Sequence, residues 1–450
     1  MGTMVHHVAQ CSGLTSVDCV SATDFLLHGA VCHPYAWYEG VRVPPPGAVC
    51  TFGPEDMESH VYWTPTEPET VCASCDVQVW ADRLRDKVRA AVEASLDGAE
   101  RARVLFSGGE DARAVLGLVP DHVSCTPTTV LGHKNREYRL AQWAAWGQGY
   151  ELDWIERPDG YYRSSVADRI NAIGPGWDIR HMHVFGRVAE PLQDADVLLG
   201  GYGADTVFKT HYMTNMNERL GRPDRLRPPE PDQIEALNFG WGTKLFRREV
   251  VEQVRERRKK HHERLKAHRP KTAGNWHWLW PLRPRAYAQY ITSVRIGPRM
   301  VEPFLFNQVY QLAAQMPDAC RVNNCAFRRA FAAEMGLSGW MPTSSNAIPR
   351  LGPRAGALYK LGHRALWKLI KEVQGIDEWE AGSWSRDHEG WHPVDPARHF
   401  SKRGHKHLSN QLQTLLEEKS PEAFFSDPKV PDAMRVRALG VGFTAEANSI

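Results

Sequence analysis

Two short glycine clusters, each closing an apolar run, carry the residues best suited to chemistry. In the first, Val104–Phe106 leads into Ser107, Gly108 and Gly109, and Glu110, Asp111, Ala112 and Arg113 follow at once. The apolar run reads as a buried strand and the residues after Gly109 as a helix. The N–H groups of a helix start bind anions, and the helix dipole adds to this. Glycine lets the backbone approach a phosphate closely, and the Ser107 hydroxyl is a further donor. The corner is a candidate phosphate cradle. It is not a Walker A loop, because no Gly-Lys-Ser/Thr follows, and it is not the dinucleotide GxGxxG. A carboxylate beside such a cradle repels its ligand unless a cation intervenes, so Asp111 is a candidate Mg²⁺ ligand. The plainer alternative is a glycine turn capped by acidic residues.

The second cluster, "LLGGYGAD" at 198–205, also ends an apolar run. In an open parallel sheet the carboxyl ends of the strands line one crevice. Gly201 and Asp205 then face the first cluster, and Asp205 meets Asp111 across a nucleotide. Two carboxylates bridged by Mg²⁺ and a triphosphate give both a purpose, with ATP as the expected nucleotide.

The surrounding elements must hold these two corners together. Residues 77–96 carry an apolar stripe at helical spacing. Strands are expected at 103–106, 122–131, 150–156 and within 195–205, with a helix after Gly109 and another at 136–148. Strand alternating with helix predicts an α/β fold, a parallel nucleotide-binding sheet with helices on both faces. From about 230 the chain reads as helical, with amphipathic helices at 304–316, 326–335 and 357–373. Residues 1–76, rich in Pro, Gly, Cys and aromatics, read as a short β-rich segment of strands and turns.

With both motifs in place, the pair "SGGEDAR" and "GYGAD" resembles the ATP-pyrophosphatase synthetase domain of the asparagine synthetase superfamily. "DFLLHG", "YEGVRVPPPGA" and "YWTP", within 24–65, resemble the last strands and linker of that family's glutaminase domain. "EPFLFNQVYQLAAQMP" at 302–317 and "NNCAFRRAF" at 323–331 resemble two of its later helices. The resemblance spans about 20–350. It implies a remnant and linker over 1–76, a synthetase domain over 77–380 and an extension over 381–450. The implied chemistry cleaves ATP between its α- and β-phosphates. A substrate carboxylate becomes an acyl-adenylate, and a nucleophile displaces AMP.

Departures from the family narrow the expectation. Residue 2 is Gly where glutamine-using members begin the mature chain with a catalytic Cys, and 76 residues are too few for a whole glutaminase layer. The expected nucleophile is therefore an amine, free ammonia or a group delivered by a partner protein. Tyr202 stands where most asparagine synthetases carry an acidic residue, and "GYGAD" is closer to β-lactam-forming and lasso-cyclase-like members. A tyrosine base needs an orienting carboxylate; Glu302 and Glu235 are candidates, although the family's own Glu is unmatched in "RIGPRMVEPF". The family's pyrophosphate-steadying Lys aligns with Cys325, so Lys209, Arg328 or Arg329 must supply the cation. Arg113 is expected on phosphate or on the neighbouring strand, and Ala112 replaces a serine donor. The resulting expectation is an AMP- and pyrophosphate-forming ligase that makes an amide or lactam. A sulfur transferase using Cys72, Cys75 or Cys325 is one alternative, and a non-catalytic ATP-binding protein is another.

Composition leaves these readings open and closes others. The chain has 450 residues, 42% hydrophobic with 16 Trp, which supports a packed core. Net charge is +2, from 55 basic and 53 acidic residues, so no polyelectrolyte partner is implied overall. Residues 247–271 form a strongly basic helix, with 12 Lys/Arg against four Asp/Glu over 244–271. Acidic residues interleave and no aromatic stripe accompanies them, so a solvated face is favoured over nucleic-acid binding. No apolar stretch reaches the roughly 20 residues of a membrane span. The nine Cys are scattered and odd in number, and a signal-peptide pattern is absent, so a cytoplasmic protein with reduced thiols is expected.

Overall fold

The structure, a computed structural model, describes residues 4–53, 56–68, 76–158, 161, 166–177, 184, 186–209, 242–282 and 299–352, with parts of 355–366 and 413–438. At its centre lie five parallel strands: β3 (Arg101–Leu105), β4 (Ser124–Leu131), β5 (Asp153–Glu156), β6 (Val197–Leu199) and β7 (Arg299–Val301). Their order across the sheet is β5-β4-β3-β6-β7. A separate antiparallel hairpin joins β1 (Ala48–Phe52) to β2 (Met57–Val61).

Side-chain alternation sends successive residues to opposite faces, and each face has its own core. Ala102, Val104, Val197 and Leu199 pack under the Val77–Ser95, Asn307–Gln315 and Cys325–Phe331 helices. Leu198, Ile155 and Met300 face the other way, onto Phe25, Leu26, Trp37, Phe424 and Met434. The expected α/β sheet with helices on both faces is therefore the fold observed. The second core draws on the N-terminal segment, the sheet and the C-terminal segment together.

Three expectations change. The N-terminal segment is not β-rich throughout: Val5–Ser12 and Cys19–His28 are helices, and "DFLLHG" lies at the end of the second. Asp18 caps that helix by accepting from the Val20 and Ser21 N–H groups, and Gly29 ends it in the left-handed region. Its apolar residues are buried on nearly every side, so the period-3.6 stripe that marks a half-buried helix is missing. Strand β7 was not foreseen: three residues between prolines are too short to show a period. The third change is in the cysteines. Cys320 takes part in a disulfide bond, whereas Cys11, Cys50, Cys125 and Cys325 are free thiols. Disulfide formation needs two sulfurs brought together in space, which sequence separation does not reveal. Cys72 and Cys75 lie outside the described residues, as does Glu235.

The basic segment forms a helix, Arg248–Lys266, and part of its charge is structural. Arg257 pairs with Asp18 at 2.8 Å and Arg258 with the buried Asp24 at 2.6 Å. These contacts clamp the helix onto Cys19–His28. No helix among the described residues is long and apolar enough to cross a membrane.

Candidate nucleotide site

Strands β3 and β6 are neighbours at the middle of the sheet. From β3 the chain proceeds to β4 and β5 on one side; from β6 it proceeds to β7 on the other. This is the switch point at which an open parallel sheet leaves a crevice beyond its strand ends. Ser107–Gly109 leaves β3 there, and Gly200–Gly203 leaves β6.

Two glycines allow close packing at the corners, Gly108 against the helix Arg136–Trp146 and Gly201 against the first corner. Gly108 has φ +70°, and a Cβ on it would lie 2.8 Å from Ala141 Cα on the helix Arg136–Trp146. A Cβ on Gly201 would lie 3.0 Å from Asp111 Cβ and 3.2 Å from the Ala112 nitrogen. The two glycine loops are thus in direct contact. The Ser107 hydroxyl accepts from the Gly109 N–H at 3.3 Å, and Glu110–Leu116 follows as a helix with no side-chain cap.

Lys209 joins the two motifs. Its Nζ is 2.8 Å from Asp205 Oδ1, hydrogen-bonds Asp111 Oδ1, and stands 3.7 Å from Glu110 Oε2. It also lies 4.5 Å from the centre of the Phe327 ring, a favourable place for a cation. Glu110 is buried and receives Arg328 Nε at 3.0 Å and Nη2 at 2.5 Å, with Asn324 at 3.4 Å. Three carboxylates face two cations, so with all five groups ionised one negative charge is left uncompensated.

Local pKa values follow from this arrangement. Burial pushes the Asp111 carboxyl up to about 7, against the pull of Lys209. Burial also acts on Glu110, but Lys209 and Arg328 outweigh it and hold that carboxyl below its ordinary value. Burial opposes the charge on Lys209, yet Asp111, Glu110 and Asp205 together raise its pKa. Lys209 therefore stays an ammonium ion.

Glu302 is the carboxylate at the second loop. Its Oε2 accepts the Tyr202 backbone N–H at 2.7 Å, and its carboxyl packs so closely on Gly200 that a Cβ there would meet Oε1 at 2.3 Å. Oε1 is buried with no hydrogen-bond partner among the described residues. Burial raises the Glu302 pKa to about 8, opposed by that N–H. The Glu302 carboxyl thus fixes the backbone of Tyr202, a half-buried residue of the crevice, and is not the phenol-orienting carboxylate expected from the sequence.

Other expected site residues take different partners or none of the expected roles. Arg113 does not point to a phosphate position. It is fully buried, and it donates to the carbonyls of Gly108, Ser338, Met341 and Pro342. Its part is to hold the corner from behind, because every carbonyl lining that interior needs a donor. Arg328 is engaged with Glu110, and Arg329 is exposed. Cys325 opens its helix half-buried; burial raises its thiol pKa while Arg328 and Arg329 act the other way. Ala112 is buried.

Two supports were not visible in sequence. One is the Glu110–Arg328 pair, which joins residues 218 positions apart; "FRRAF" advertised a basic helix but not its partner. The other is the buried Arg321, which donates to the Val207 carbonyl at 2.9 Å and so steadies the short helix Ala204–Val207 that carries Asp205.

The donor set suits Mg²⁺, which takes one or two carboxylates and completes its shell with substrate phosphate oxygens and water. Asp111 and Asp205 would be those carboxylates, since both already share one cation. Among the described residues no group of three or more His, Cys, Asp or Glu gathers as a self-sufficient metal site. No protein-family model matches this sequence, and no characterised protein gives a significant match to it.

Proposed function

We propose that the chain is an ATP-dependent, AMP- and pyrophosphate-forming ligase that adenylates a small-molecule carboxylate and passes the acyl group to an amine. One observation carries the reading: Asp111 and Asp205, one from each glycine motif, share a single lysine ammonium at the switch point of a parallel sheet. A strand-end crevice with close-packed glycines suits a polyphosphate. Bound Mg²⁺ would offset the phosphate charge against the two carboxylates. Lys209 is the cation that can turn from those carboxylates to the leaving pyrophosphate, which is catalysis by positioning and charge neutralisation. Tyr202, held through its N–H by Glu302, is the candidate base for the amine.

A lysine and a glutamate at the two loops favour an enzyme over a scaffold that merely binds ATP. The raised thiol pKa of Cys325 gives no support to sulfur transfer, because a thiolate is the reactive form.

The reading is tested by identifying products after ATP, Mg²⁺, an amine and a panel of carboxylic acids are mixed with the protein. AMP and pyrophosphate are expected, and ADP would end the proposal. Calorimetric titration with Mg²⁺ and the α,β-methylene analogue of ATP tests the site itself. Asp111→Asn should weaken that binding by about tenfold or more, the worth of a charge-assisted contact of about 1.5–3 kcal/mol.

A further inference from the structure

Beside the nucleotide crevice lies a cleft of about 310 Å³, lined by residues from the hairpin region, from the 280–282 turn and from the Asn307–Gln315 helix. Its aromatic wall is built from three rings. Trp63 meets Trp280 edge-on at 4.9 Å between centroids, and Trp280 stacks with Tyr310 at 6.1 Å. The Tyr310 hydroxyl donates to the Leu279 carbonyl, and burial moves its pKa far above that of a free phenol. It is therefore a neutral wall and not a base. None of the lining residues among those described is a carboxylate, an amine, a guanidinium or an imidazole; their polar side-chain groups are the amides of Asn307 and Gln311, the Tyr62 hydroxyl and the indole N–H groups of Trp63 and Trp280.

The cleft adjoins the second glycine loop. Leu305, one of its lining residues, packs on Gly203 so tightly that a Cβ there would lie 2.6 Å from Leu305 Cδ2. Three residues earlier, Glu302 holds the Tyr202 N–H. The segment 302–305 therefore touches the reactive loop and walls the cleft.

We infer that this cleft binds the uncharged aromatic end of the small-molecule substrate, whose carboxylate or amine then falls at the loop carrying Tyr202. Flat rings offset-stack or meet edge to face with Trp and Tyr walls. The absence of charge among the described lining residues disfavours an ionic group, since none of them offers a counter-charge. The volume lies at the lower end of the range for ligand pockets, about 300–1,000 Å³. The word "substrate" rests on the ligase reading; the ring specificity does not.

Saturation-transfer NMR on the full chain, without nucleotide, separates the two. Indole and p-cresol are the aromatic probes; cyclohexanol tests for apolar binding without a ring, and benzoate for a charge. Indole and p-cresol should bind, with cyclohexanol and benzoate at least fivefold weaker. Trp280→Leu, which removes the stacking ring, and Asn307→Trp, which fills the cleft from an exposed position, should each reduce the indole signal at least fivefold while circular dichroism is unchanged. Equal indole binding to wild type and Asn307→Trp overturns the proposal, and so does cyclohexanol binding as well as indole. Indole binding without ATP–pyrophosphate exchange for any aryl-bearing acid would leave the cleft standing and count against the ligase. Exchange driven by aspartate, with no indole binding, would do the reverse.

Discussion

At the scale of single residues, the site is a balance of five charged groups, with Lys209 at its centre. Lys209 is buried yet charged because Asp111, Glu110 and Asp205 surround it. Replacing it with Met leaves those carboxylates facing one another without their shared ammonium, so Lys209→Met should impair pyrophosphate exchange by about 100-fold or more, a size seen when one preorganised charge stabiliser is lost. Nucleotide affinity, read by calorimetry, should fall less. Glu302 offers a separate test through pH. Its pKa in the folded chain, about 8, lies above the ordinary 4.5. The protonated carboxyl is the form the fold accommodates, so its contribution is complete below pH 4.5 and is lost as pH rises toward 8. Glu302→Gln cannot ionise. Its melting temperature should therefore drop less between pH 6 and pH 9 than that of the wild type, and an equal drop would show that Glu302 does not titrate in this window.

At the scale of elements, the two glycine corners work only as a pair. Gly201 has an ordinary backbone conformation but no room, whereas Gly108 has both a positive φ and the Ala141 backbone against it. Gly201→Ala should push the second loop off the first, at a cost of about 1–3 kcal/mol for forcing a methyl into packed surroundings. Loss of Mg²⁺–nucleotide binding should exceed the loss of stability, because the loops that separate are those holding Asp111 and Asp205. Gly108→Ala adds left-handed strain of about 1 kcal/mol or more to a clash with main chain that cannot rotate away. In chemical denaturation it should be the less stable of the two.

For the molecule as a whole, the N-terminal helices are part of the second core and not an appendage. Asp24 is the knot: it receives Arg258 Nε at 2.6 Å, His28 Nδ1 at 2.8 Å and the Cys32 N–H at 2.7 Å. Burial works against its charge, but Arg258 and His28 overcome this and keep its pKa below normal. Asp24→Asn would leave a buried guanidinium without its counter-charge. Breaking such a pair costs about 3–5 kcal/mol, to be read as a lower urea midpoint. An unchanged midpoint would mean that the Asp24–Arg258 pair does not hold the two helices together.

The local signals in the sequence were those that depend on near neighbours. Strand–helix alternation, the glycine-ended apolar runs and the basic helix were legible because period and turn chemistry act over a few residues, and the parallel sheet followed from them. Lys209 was legible only as one of several possible cations, and Glu302 as one of two possible carboxylates. Only the folded chain could assign Lys209 to both aspartates, Arg328 to Glu110 and Arg113 to four carbonyls behind the corner. Apart from Lys209–Asp205, one helical turn apart, and Arg113–Gly108, five residues apart, these contacts join side chains from segments about 100 to more than 200 residues apart. The second N-terminal helix, Cys19–His28, was misread for a related reason. A helix enclosed on all sides shows no polar face, and its burial is settled by what packs around it rather than by its own pattern.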